Sequence, residues 1–131
     1  MLVGGQNSFL SSNKGEKMTI SKQIKSKISK EGLLSISIDE VEVPEPKDGE
    51  VLIKVQATPI NPSDLGLLVG PADVSSLKVV EKGSLVEMQV PEGLIRSVGA
   101  RFDQDLPVGN EGAGIVESAG KGAEHLIGKT V

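Results

Sequence analysis

The sequence predicts a mainly β domain of short, mostly antiparallel strands with one or two short helices. Three observations carry this. Apolar and polar residues alternate at period two, most cleanly where Leu34, Ile36 and Ile38 interleave with Ser35, Ser37 and Asp39. Sixteen glycines and seven prolines divide the 131 residues into short runs, a punctuation that suits turns and short elements. Aromatic residues make up only 2% of the chain, so Val, Ile and Leu must supply the core volume.

Taken in order, residues 1–18 read as a disordered leader and residues 19–131 as the domain. Residues 1–30 carry six lysines against Glu16, and the excess of acid lies entirely in the remainder. This lysine-rich start contains no arginine, unlike an organelle transit peptide, and Met1-Leu-Val is too short for a signal-peptide core. From Thr19, spaced isoleucines at 20, 24 and 28 give one strand and residues 34–38 the next, with a hairpin turn at Glu31-Gly32. Pro44-Glu45-Pro46 ends that extended run, because proline cannot donate to a ladder. Lys47-Asp48-Gly49-Glu50 is a turn leading into the strand Val51–Ala57. Pro62 and Asp64 then favour a short helix through Leu68, proline at the first helical position and an acid in the first turn.

Residues 71–106 are insertion-like. Leu77–Val80 and Leu85–Val90 around Glu81-Lys82-Gly83-Ser84 predict a hairpin, Glu92–Val98 a short helix and Gly99–Leu106 a loop. A glycine-rich run from Gly109 to Gly114 precedes a strand that starts with Ile115-Val116, then a turn at 118–122. Ile127–Val131 begins one more strand and stops, which reads as a domain cut before its closing element.

Composition excludes several functions. Without cysteine there is no disulfide, thiolate metal site or cysteine nucleophile. His125 is the only imidazole, and its polar neighbours read it as a surface residue. No apolar run approaches the roughly 20 residues of a membrane helix. A net charge of −4 and the lack of stacking aromatics argue against nucleic acid. A cytoplasmic setting is expected.

Gly109, Gly112 and Gly114 have the wrong spacing for a dinucleotide fingerprint, and a strand follows where a helix is needed. Close backbone approach explains those glycines better. Gly128-Lys129-Thr130 matches only the end of a phosphate loop, with Ala123 at the place of its first glycine. Asp64 and Glu111 are a candidate carboxylate pair whose separation the sequence leaves open.

Two segments gain meaning together. A Pro-x-Pro-x-x-Gly-Glu turn and the strand Val51–Ala57 lead to Asn61-Pro62-Ser63-Asp64, and Gly109-Asn110-Glu111-Gly112 follows downstream. With Gly128-Lys129-Thr130-Val131, this resembles the GroES-like N-terminal catalytic domain of the medium-chain dehydrogenase/reductase superfamily. The resemblance runs from about Lys22 to Val131 and implies a partly open β-barrel, whose sharp corners glycines permit. A Rossmann domain would follow beyond this chain. Zinc-dependent members place a cysteine in the first motif and a histidine in the second. This chain has Asn61-Pro62-Ser63-Asp64 and Asn110 there, and a neutral amide is a poor zinc ligand.

The resemblance therefore implies the zinc-independent branch, similar to quinone oxidoreductases and enoyl reductases. It implies hydride transfer from NADPH or NADH, bound mainly by the later domain, to a quinone, enone or enoyl substrate. It implies a homodimeric intact protein and a fragment that is inactive alone. On this reading Asn61 is catalytic and, with Pro62, lies against the nicotinamide. Ser63, Asp64, Asn110 and Glu111 support the pocket or its loop, Asn110 at the former metal position. Enoyl reductases of this group use a tyrosine after the first motif, but this chain has none and reads Gly66-Leu67-Leu68-Val69-Gly70-Pro71. Quinone or enone reduction is favoured accordingly. The competing expectation is a non-enzymatic GroES-like β-domain that serves as a binding or assembly module.

Overall fold

The computed structural model describes residues 2–4 and 19–131. The leader expected over 1–18 lies outside the described residues except at Leu2–Gly4, which form strand β1. The chain is mainly β. Strands β2 (Thr19–Ile28), β3 (Leu33–Val43) and β4 (Val51–Ala57) precede helix α1 (Pro62–Leu68). Next come β5 (Asp73–Glu81), β6 (Leu85–Gln89), helix α2 (Glu92–Ile95), β7 (Leu106–Pro107) and β8 (Ala113–Ala119). One sheet has the order β1-β4-β8 and the other β5-β6-β3-β2-β7. Both are open, consistent with a partial GroES-like barrel.

The boundaries of β4 and α1 fall where the sequence places them. The turn before β3 closes with Ser29 N–H donating to Leu33 O at 2.9 Å, and Gly32 takes φ +79°. At that dihedral a side chain would be strained. The turn before β4 is closed by Glu50 N–H on Lys47 O at 2.9 Å. The hairpin of β5 and β6 is antiparallel as expected, with β5 starting at Asp73, earlier than the alternation suggests. Two expectations need correction. The helix from Glu92 continues as a 3-10 segment over Arg96–Arg101, and β7 follows, so 99–106 is not simply a loop. Residues 127–131 do pair with β8, through an antiparallel bridge of Thr130 to Ile115 and backbone hydrogen bonds of Gly128, Lys129 and Val131 with Val116 and Gly114, but they are too irregular to form a strand of their own.

By its contacts the chain divides into two compact units. The first comprises Met1–Gln23, Glu40–Pro59 and Glu111–Val131. Its buried apolar residues are Leu52, Ile53, Val116 and Ala123, with Ile53 opposite Val116 across the antiparallel β4–β8 pair. The second comprises Ile24–Asp39 and Ile60–Asn110. Its core is Ile28, Leu34, Met88, Val90 and Val98, with Ile36, Val69, Ala72, Ile95 and Phe102 packed against it. The insertion-like stretch 71–106 thus supplies Met88, Val90 and Val98 to that core.

Candidate functional site

Asn61-Pro62-Ser63-Asp64 forms the start of α1. Asn61 is the N-cap, in extended conformation at φ −92° and ψ 157°, and Pro62 occupies the first turn. The Asp64 carboxylate turns back to accept the Asn61 N–H at 2.8 Å. The Asn61 side chain faces the Asp64 N–H in the reciprocal arm of a capping box, and the same N–H donates to Asn61 O at 2.9 Å. Two donors at the helix start are served this way. Asp64 is 5% exposed although it is a carboxylate. Its hydrogen bond and the positive end of the helix favour an acid there. Pro62 and Ser63 are exposed and Asn61 is half-buried. The arrangement fixes the Asn61 backbone at the helix start, with its side chain engaged in the capping box.

The structure thus makes Asp64 the N3 arm of the capping box, with Asn61 as the N-cap. Asp64→Ala is expected to lower unfolding stability by about 1–3 kcal/mol in a urea melt, the usual cost of leaving a partly buried N–H without its acceptor. Asp64→Asn keeps an oxygen that can accept the Asn61 N–H, and should cost less.

The second motif is placed differently. Asn110 belongs to the same unit as Asn61–Asp64, whereas Glu111 belongs to the other. Asn110 and Glu111 are both exposed. The Glu111 carbonyl accepts the Thr58 hydroxyl at 2.7 Å, fastening this segment beyond the end of β4. A Cβ on Gly112 would lie 3.3 Å from Ala57 O, and one on Gly114 would overlap Lys54 O. These glycines serve close packing against β4. They lead into β8, so no helix N-terminus is available here to receive a pyrophosphate.

Among the described residues no three His, Cys, Asp or Glu side chains group as a metal site. His125 is exposed in a single 3-10 turn, Glu124–Leu126. Among the described residues no helix is long and apolar enough to cross a membrane.

The sequence places the helix start from Pro62 and Asp64; the capping box itself is signalled by the Asn61-x-x-Asp64 spacing, which that reading did not use. Arg101, which reaches the other end of α1, was not singled out. Its only sequence signal is rarity, since Arg96 and Arg101 are the only arginines among 14 basic residues.

No family model matches the chain. The chain is similar to a zinc-type alcohol dehydrogenase-like protein of Schizosaccharomyces pombe, 35% identical over 102 residues. The match covers 78% of this chain but 22% of that relative, so the chain spans well under a third of its length. The similarity supports an alcohol dehydrogenase-like oxidoreductase ancestry, at the level of the medium-chain superfamily.

Proposed function

We propose that this chain is the N-terminal substrate-side part of a zinc-independent, NAD(P)H-dependent oxidoreductase that reduces quinones or enones. The observation that carries the reading is Asn61, fixed by Asp64 at the N-cap of α1, where zinc-dependent members of the superfamily carry a cysteine ligand. Asn110 takes the place of their histidine ligand. Two amides do not suit a cation that prefers thiolate, imidazole or carboxylate, and zinc chemistry is not part of the proposed reaction.

A bound reduced nicotinamide would supply the hydride, with the proton coming from solvent. The glycine-rich run offers no pyrophosphate cradle, so other parts of the intact protein would hold most of the cofactor. The contribution of this chain is orientation and electrostatics. Asn61, with Pro62 beside it, would orient the nicotinamide or polarise the acceptor carbonyl by hydrogen bonding. Asp64 would keep the Asn61 backbone in place, and Ser63, Asn110 and Glu111 would support the surrounding loops. The chain alone would be inactive, and the intact protein would work as a cytoplasmic homodimer.

The test compares substrates with the intact protein. NADPH oxidation driven by quinones or enones is expected. Alcohol oxidation with NAD, without quinone or enone reduction, would overturn the reading.

One observation favours a binding or assembly module instead. β5 is an edge strand with Val74, Leu77, Val79 and Val80 exposed, a template for strand pairing. Activity of the intact protein in the same assay would remove that alternative as the primary role.

A further inference from the structure

Helix α1 has seven residues, one of them Gly66, and no basic residue of its own in the last turn. A helix this short is marginal in water and persists only if its ends are held. Asp64 and Asn61 hold the first end. The other end is held from far along the sequence. Arg101 Nη2 donates to Leu67 O at 3.0 Å and to Ser26 Oγ at 3.1 Å, and its Nη1 reaches Gly66 O at 3.4 Å. Ser26, fully buried in β2, donates its hydroxyl to the same Leu67 O at 2.6 Å. A cation at a helix C-terminus also meets the negative end of the dipole.

Arg101 is itself firmly placed. The backbone after it is fastened to β2 by Asp103 N–H on Ile28 O at 2.8 Å and by pairing of Leu106 with Ser26. Lys30 pairs with Asp103 and Lys27 with Asp105, each at 3.5 Å. Phe102 packs on the same buried core as Val69, the residue that caps α1. All of these residues lie within one compact unit.

We infer that Arg101 is a positioning residue: through Gly66, Leu67 and Ser26 it sets α1, and through α1 it sets Asn61. The insertion-like stretch 71–106 would then serve the reaction by delivering this arginine. The inference rests on the proposed role of Asn61, and the experiment separates the two.

The intact protein carrying Arg101→Gln, Arg101→Lys or Ser26→Ala would be followed by amide exchange and by the deuterium isotope effect on kcat with 4-deuterated NADPH. In Arg101→Gln, amides of residues 65–70 should exchange about ten- to a hundredfold faster, the loss expected for one or two charge-assisted hydrogen bonds. Protection of β4 and β8 should stay unchanged. The isotope effect should rise as the hydride step slows, and should not rise further when Asn61→Ala is already present. Arg101→Lys should recover part of both readouts, and Ser26→Ala should loosen α1 more weakly.

Unchanged exchange in α1, or equal loss of protection in α1 and β8, would overturn the brace. A loosened α1 with an unchanged isotope effect would overturn the link to Asn61. If the intact protein transfers no hydride, the proposed function fails, while exchange still decides whether Arg101 braces the helix.

Discussion

Gly114→Ala is expected to destabilise the chain by about 3 kcal/mol or more, at the upper end of what overpacking costs. Gly114 is buried in β8 opposite Val55. A Cβ there would overlap Lys54 O and stand 2.8 Å from both Ile53 Cγ2 and the Lys54 carbonyl carbon. Ile53 is 7% exposed and the obstacle includes backbone, so neither can yield without moving β4 from β8. Gly114 also exchanges two backbone hydrogen bonds with Val131, each 2.9 Å, and a shifted β8 would strain both. Gly66→Ala is the contrasting variant. Nothing lies within 4 Å of its Cβ position, and alanine in a helix is favoured over glycine by about 1 kcal/mol. Urea melts of the two variants should therefore move in opposite directions.

The second large effect concerns activity. Asn61→Ala in the intact protein is expected to lower kcat by about a hundredfold, the typical loss of one preorganised hydrogen-bond donor at a reacting group. The variant also removes an N-cap side chain, worth about 1 kcal/mol of stability. Asn61→Ser separates the two roles, since serine caps a helix as well as asparagine but carries no amide. Both variants are expected to lose activity, and only Asn61→Ala to lose stability. Full activity in Asn61→Ser would reduce Asn61 to a capping residue.

What the sequence reveals follows the range of the interactions. β4 and α1 were legible to the residue because their signals are local: alternation bounded by a turn, then proline and an acid at a helix start. The turn at Gly32 was legible for the same reason. The face of β2 was not. Ile24 is 44% exposed while Ser26 is fully buried, the reverse of what hydropathy suggests. Ser26 is buried because its hydroxyl has a partner in Leu67, 41 residues away, and no local pattern encodes that. Arg101 is hidden likewise, its partners lying 34 and 75 residues distant.

In the candidate site, the motif residues and the absence of cysteine could be read directly. The division that puts Asn110 with Asn61 and Glu111 in the other unit could not, because it depends on which strands pair. The glycine-rich run was legible as a packing device. The atoms it packs against, the Lys54 and Ala57 carbonyls, belong to a strand far earlier in the chain.

The most direct test of the central claim is the activity of the intact protein after exhaustive dialysis against a strong zinc chelator. Quinone- or enone-dependent NADPH oxidation is expected at the undialysed rate, with less than about one zinc per ten subunits remaining. Activity that disappears on dialysis and returns with added zinc would contradict that claim.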